Sequence, residues 1–312
     1  MKILITGGAG FIGSHLADFF LQQPEYHICC LDNFDPYYDP RIKYRNIEKL
    51  LQNSHFELVK GDIRDHSLLK KILVDIDYVF HESAQAGIRI SVKDPQKPHE
   101  VNATGTLNLL EAAKDSDVRK IINASSSSVY GKTKYLPFDE LHPTEPVSPY
   151  GVTKLMAEHY CRIFEELYGL KTVSLRYFTV YGPRMRPDLA IHIFMQKALR
   201  NEPIIIFGDG GKTRDFTYID DVIWANFLAM TNGSGTYNIG GGHTISIQDL
   251  ADQIVATTKS MSKILYESDV PGDAEHTAAN TKKAEKELGW KPKTSLVEGL
   301  ELFRQWMQNY PS

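Results

Sequence analysis

The chain has 312 residues, 42% of them hydrophobic and 24% charged, a mix that excludes a disordered chain, a collagen-like fibre and a disulfide-stapled miniprotein. Lys and Arg total 35 against 39 Asp and Glu, a formal charge of -4, so the basic excess of a nucleic-acid binder is absent and the expected partner is a small molecule or another protein chain. Cys29, Cys30 and Cys161 form neither a CxxC pair nor an even disulfide set and are expected as buried thiols in a reducing compartment. No apolar run approaches the ~18 residues that cross a bilayer, and the opening MKILITGG turns into glycine too soon for a signal peptide. A cytoplasmic protein with no membrane partner is expected.

Short β-branched runs at 2–6, 27–31, 56–59, 78–80 and 120–124 read as strands, with helical patterns at 11–21, 67–73 and 105–114 between them. This alternation predicts an α/β fold, a Rossmann-type doubly wound parallel sheet covered on both faces. A long helix is expected at 150–168, closed by Gly169 in a C-cap position, then a sixth strand at 171–175. From about Gly182 the texture changes: Gly and Pro cluster in YGPRMRP and FGDGGKTRD, and helices at 191–199, 246–257 and 296–307 lie between irregular pieces. Short strands at 204–207 and 237–239 fit either region. The chain therefore divides into a main domain over 1–181 and a smaller C-terminal α/β lobe over 182–312, with a soft boundary and some interleaving.

The first strand runs straight into Gly7-Gly8-Ala9-Gly10-Phe11-Ile12-Gly13 and a helix follows, which is the setting of a dinucleotide-binding turn. Gly7 permits the turn, Gly10 lets the backbone approach a pyrophosphate, Gly13 lets helix and strand pack closely, and the helix N-terminus offers free N–H groups to phosphate. The second strand ends in Asp32-Asn33, about 20 residues beyond the turn, where a carboxylate bonds ribose hydroxyls. Asp32 would repel a 2′-phosphate, and no Arg or Lys follows it immediately, so NAD is expected and not NADP. Gly61-Asp62-Ile63 closes the third strand where an adenine would lie.

Ala124-Ser125-Ser126-Ser127-Ser128-Val129-Tyr130-Gly131 follows the fifth strand, and Tyr150-Gly151-Val152-Thr153-Lys154 opens the next helix. Tyr150 and Lys154 share one helix face, and an ammonium beside a phenol favours the phenolate. A base, a cation that tunes it and a hydroxyl that holds the substrate oxygen would then meet at the carboxyl end of the sheet. The eleven histidines are scattered without ligand spacing, so no metal site is expected.

GGAGFIGSH, GDIRD, AQAG, SSSSVYG, SPYGVTK, LRYFTVYGPR, GDGGKTRDFTYIDD, YNIGGG and LGWKP follow one another in an order that resembles the extended short-chain dehydrogenase/reductases, and within them the nucleotide-sugar epimerases. The resemblance spans nearly the whole chain. It implies NAD as cofactor, a UDP-sugar substrate and a homodimer built from the helices around 105–114 and 150–168. It assigns Tyr150 as the base at the sugar 4-hydroxyl, Ser126 and Ser127 to the 4-oxygen, and Lys154 to the nicotinamide ribose. Gly7, Gly10, Phe11, Ile12, Gly13, Asp32, Asn33, Asp62, Ile63, Tyr150, Lys154 and Tyr177 would contact the cofactor, and Arg214 the substrate pyrophosphate.

Thr179 stands where many UDP-galactose epimerases carry Asn, Arg186 sits in an R-P-D motif, and Arg89 follows AQAG. This combination is similar to UDP-glucuronate 4-epimerases. With Ser128 it could supply the cation and donors that a uronate carboxylate needs. UDP-glucose or UDP-N-acetylglucosamine 4-epimerisation is the alternative, and a non-catalytic NAD-binding relative a further one. A 4,6-dehydratase would want an Asp-Glu pair where this chain has Ser127-Ser128. One departure stands out: the family usually reads H-L-A-A-Q or H-Q-A-A-Q where this chain reads His81-Glu82-Ser83-Ala84-Gln85, and Glu82 near a pyrophosphate would repel it unless its side chain points away.

Overall fold

The computed structural model describes residues 1–269 and 275–310, so the C-terminal lobe expected over 182–312 includes 270–274 and 311–312, which lie outside the described residues. Among the described residues twelve strands form three sheets: β1 (Lys2–Thr6), β2 (His27–Asp32), β3 (Phe56–Lys60), β4 (Tyr78–His81), β5 (Lys120–Ser126), β6 (Thr172–Tyr177), β7 (Thr179–Tyr181), β8 (Ile204–Phe207), β9 (Thr213–Tyr218), β10 (Gly235–Ile239), β11 (Thr244–Ser246) and β12 (Ile264–Glu267). The main sheet is parallel throughout, in the order β10-β6-β5-β4-β1-β2-β3. Its central strands read as continuous apolar runs because both faces are covered. Leu4 of β1 joins a core with Leu31, Val79, Leu109 and Phe164 on one face, while Ile3 and Ile5 join Phe20, Phe80 and Val173 on the other. Strand order reverses between β1 and β4, the place where an open parallel sheet leaves a crevice at its carboxyl edge.

Two elements depart from a simple N-terminal and C-terminal division. The helix Ile219–Thr231 has no polar stripe to mark it in sequence, since Ile219, Val222, Ile223, Ala225, Ala229 and Met230 are all buried, and an all-round apolar helix gives little periodic signal. It covers the sheet and returns the chain to β10, which lies parallel to β6. In the other direction β7, before residue 182, pairs with β9 in a three-stranded sheet. The expected boundary at 181/182 is thus crossed twice. The short strand 204–207 pairs with β12 in the lobe, where the helix Ile247–Thr258 packs against Ala190–Leu199 and Leu296–Asn309.

The long helix expected at 150–168 begins one residue earlier, at Pro149, because Ser148 accepts the Gly151 N–H (3.1 Å) and Pro149 fits the first turn; it ends at Gly169, φ 72°. All three cysteines are buried, and burial pushes the thiols of Cys29 and Cys161 up to about 11 and about 12. Among the described residues no helix is long and apolar enough to cross a membrane.

Candidate active site

A cleft of about 880 Å³ opens at the carboxyl edge of the main sheet, and every residue singled out above as a cofactor, catalytic or substrate contact borders it. Its floor is the glycine turn. Gly7 has φ 68°, donates to Leu31 O (2.7 Å) and accepts from Gly10 N–H (3.0 Å). A side chain at Gly13 would collide with the Gly7 carbonyl and Gly8 Cα. The helix Phe11–Leu21 starts at Gly10 without a side-chain cap, which leaves its first N–H groups for an anion. Asp32 is buried at the end of β2. Its Oδ1 accepts from Phe34 N–H (2.8 Å) and Lys43 Nζ (3.2 Å), and its Oδ2 from Ala9 N–H (3.2 Å). A cradle closed to any Cβ, an uncapped helix terminus and a buried carboxylate fit a dinucleotide. Lys43 carries no local signal in the sequence, because it reaches Asp32 from the helix Pro40–Ile47, eleven positions on. Asp62 is held by Asn33 (2.8 Å) and Arg64, whose guanidinium keeps the carboxyl down at about 2.

Tyr150 and Lys154 lie one turn apart on the helix Pro149–Tyr168. Lys154 is buried and donates to Ala124 O (2.7 Å), which fixes its ammonium at the end of β5. The Tyr150 N–H donates to Ser91 Oγ (3.1 Å), tying this helix to the Arg89 segment. At the end of β5, Ser126 Oγ accepts the Ser128 N–H and donates to Ser128 Oγ, both at 3.1 Å, so the serine run forms a tight turn with Ser126, Ser127 and Ser128 along the cleft.

A buried chain of hydrogen bonds links the two sides. Thr106 gives its proton to Asn102 O (2.5 Å), so His81 donates from Nε2 to Thr106 (2.8 Å) and accepts at Nδ1 from Thr6 (2.7 Å). Burial holds His81 neutral, its ring pushed down to about 3. Asn102 continues to Thr153 Oγ1 (3.0 Å), which donates to Tyr150 O (2.9 Å). Behind the serines, Glu158 takes a two-point contact from Arg176 (2.9 and 2.7 Å) and a hydrogen bond from Ser125, and the guanidinium lies over the Tyr130 ring. Glu158 is four residues beyond Lys154, a spacing that would have flagged it on the same helix face.

The opposite wall is built from longer side chains. Arg89 stacks on Phe207 (5.6 Å to the ring centre). Arg214 donates to Thr213 O (2.8 Å) and Glu275 O (3.1 Å), and Lys212 pairs with Asp269 (2.6 Å). Arg186 pairs through Nε with Asp188 (3.2 Å) and lies over the Tyr37 ring, while the Tyr37 hydroxyl donates to Asp188 (2.7 Å). Thr179, at the start of β7, is half-buried in the same wall. Glu82, whose charge would oppose a pyrophosphate, lies in the same cleft with its carboxyl directed at Tyr177. Its Oε1 is 3.0 Å from the Tyr177 hydroxyl oxygen, and burial pushes its carboxyl up to about 7.

Known proteins resemble the chain along nearly its whole length. The family model described as GDP-mannose 4,6 dehydratase matches residues 4–303. The chain belongs to this family of extended short-chain dehydrogenase/reductases. Within the family its likeness is to 4-epimerases. A crystal structure of UDP-glucuronic acid 4-epimerase from Bacillus cereus, in complex with UDP-glucuronic acid and NAD, superposes with a TM-score of 0.94 at 40% identity over 99% of both chains. The UDP-glucose 4-epimerase of Thermotoga maritima, solved with UDP-glucose, gives 0.93 at 36% identity over the full length of both. The UDP-glucuronate 4-epimerase of Thermodesulfobacterium geofontis is 38% identical over 307 residues, 97% of this chain and 95% of that one.

Proposed function

We propose that this chain is an NAD-dependent UDP-sugar 4-epimerase that interconverts UDP-glucuronate and UDP-galacturonate through a 4-keto intermediate. The observation that carries the reading is the meeting, in one cleft, of Tyr150, Lys154 and Ser126 with the Thr179 and Arg186 wall. The dinucleotide supplies a reversible hydride acceptor. Gly7, Gly10, Phe11, Ile12, Gly13, Asp32, Asn33, Asp62, Ile63 and Tyr177 hold it. Tyr150 takes the proton of the sugar 4-hydroxyl as hydride leaves C4, and returns it when the sugar has turned over. Lys154 favours the phenolate, and Ser126 and Ser127 hold the 4-oxygen in place. Arg214 grips the UDP pyrophosphate.

Arg186 uses Nε and one terminal nitrogen on Asp188, so donors of its five-proton fork remain for a substrate carboxylate, with Thr179 and Arg89 in the same wall and Ser128 on the facing side of the cleft. This grip has a chemical purpose. The 4-keto form of a uronate is a β-keto acid, which loses CO₂ when the bond to its carboxylate aligns with the carbonyl π system. A fixed carboxylate suppresses that alignment. Epimerisation of a neutral UDP-hexose is the second reading, favoured by Asp188, which gives the Arg186 charge a partner when no carboxylate is present. In this proposal residues 1–181 mainly serve the cofactor and 182–312 the sugar nucleotide. Val152, Leu167 and Tyr168, exposed on the long helix, support a homodimer, and the buried thiols support a reducing, cytoplasmic setting. Incubation with UDP-glucuronate followed by NMR tests the function: UDP-galacturonate without released CO₂ is expected, and conversion of neutral sugars alone overturns the uronate assignment.

A further inference from the structure

Glu82 is an acidic group of the cleft for which the proposed reaction has no use. It follows β4 directly, its N–H donates to Thr6 O (3.1 Å), and a Cβ on Gly7 would come within 3.1 Å of its carbonyl carbon, so it stands against the glycine turn itself. Its carboxyl lies 3.0 Å from the Tyr177 hydroxyl, and that hydroxyl lies 2.9 Å from Asn226 Oδ1. The Asn226 amide cannot be reversed, because its Nδ2 donates to Val222 O (2.9 Å). Tyr177 thus faces two oxygen acceptors with a single proton. Both contacts are hydrogen bonds at once only when Tyr177 donates to Asn226 and Glu82 brings a proton of its own.

We infer that Glu82 is held as a carboxylic acid that donates to Tyr177 and presents the dinucleotide with a neutral polar wall, so that NAD binding is coupled to uptake of a proton at this residue. The physical reason is the pyrophosphate: an ionised carboxylate beside the glycine turn would oppose two phosphate charges in a poorly hydrated cleft, whereas the acid opposes none. Most of the groups facing Glu82 are uncharged. Tyr177 from β6 stays neutral, its hydroxyl raised by burial, and Asn226 from the helix Ile219–Thr231 carries no charge. His81 on its own strand is neutral, and Lys154 from the helix Pro149–Tyr168 is the charge that pulls the other way, toward ionisation. Burial outweighs it and places the carboxyl near neutrality, within reach of a modest further push by a bound anion.

Linkage gives the sign. If the acid form binds NAD better, NAD raises the proton affinity of Glu82, and affinity for NAD falls as pH rises through the titration of the free protein. The test is calorimetric titration of the NAD-stripped protein with NAD, in buffers of different ionisation enthalpy, from below to well above about pH 7. The wild type is expected to take up part of a proton, with a dissociation constant rising toward about tenfold per pH unit on the alkaline side. Glu82→Gln, which keeps a neutral donor, should lose that uptake and flatten that rise. Infrared difference spectra of the NAD-loaded protein should contain a carboxylic-acid carbonyl band that the Gln variant lacks, a readout independent of NAD stripping. Equal proton uptake in both proteins, or no such band, would overturn the inference. The inference rests on the NAD site of the proposed enzyme and not on its sugar: a finding that only neutral sugars are converted would overturn the uronate assignment and leave the proton count unchanged.

Discussion

The two walls of the cleft are built by different means. On the cofactor side the contacts are backbone and buried side chains, each locked by its neighbours: the Gly7 turn, the uncapped helix start, and Asp32 held by three donors. On the sugar side they are long charged side chains, paired with exchangeable partners such as Asp188 for Arg186 and Asp269 for Lys212. A cofactor that stays bound through a catalytic cycle is served by preorganisation, since little ordering entropy is then lost on binding. A sugar that must turn over between two half-reactions is served by contacts that can be exchanged. The difference teaches where each kind of substitution should register: in turnover and stability at the junction, in specificity on the sugar wall, in pH dependence on the cofactor wall.

The sharpest break falls at the junction. Tyr150→Phe should lower turnover by about 10²–10⁴-fold, the usual contribution of a positioned base, while NAD content measured in the purified protein stays that of the wild type. Loss of NAD from this variant would place Tyr150 in the cofactor wall instead. Glu158→Ala should cost about 3–5 kcal/mol in chemical denaturation, because it strands the buried Arg176 guanidinium behind the serine strand. A loss no larger than that of a surface pair would show that Arg176 finds another partner. Arg186→Ala should lower kcat/KM for UDP-glucuronate by about 10–100-fold, the worth of one or two charge-assisted hydrogen bonds, with little change for UDP-glucose. Equal losses on both substrates would turn Arg186 into a structural brace.

A pH-dependent effect sharpens the contrast from the cofactor side. The Glu82 carboxyl is raised in the folded protein, so its stabilising contribution is complete at low pH, is lost as pH rises from about 4.5 to about 7, and is flat above that. Denaturation across this window should show wild-type stability falling relative to Glu82→Gln. A constant difference between the two would contradict the raised carboxyl.

Much of the candidate site is legible in the sequence because its signals are local. Gly7, Gly10 and Gly13 lie within one turn, Asp32 ends the next strand, and Tyr150 and Lys154 sit four apart on one helix. What stays hidden depends on long-range contacts or lacks periodicity. Lys43 reaches Asp32 across a loop, Tyr37 meets Asp188 across 151 residues, and Arg176 meets Glu158 between a strand and a helix. The helix Ile219–Thr231 is apolar all round, so neither it nor the return of β10 to the main sheet has an amphipathic signature. Glu82 stands out in the sequence as a charge out of place, but its protonation is readable only from the fixed amide of Asn226.

The central claim is that one cleft removes hydride from the sugar C4 and restores it to the other face of the same molecule. UDP-glucuronate deuterated at C4, mixed with unlabelled substrate and converted to equilibrium, tests this most directly by mass spectrometry and NMR. The account predicts UDP-galacturonate that retains its deuterium at C4, with none in the unlabelled pool or in solvent. Washout of the label, or its transfer between substrate molecules, would contradict it.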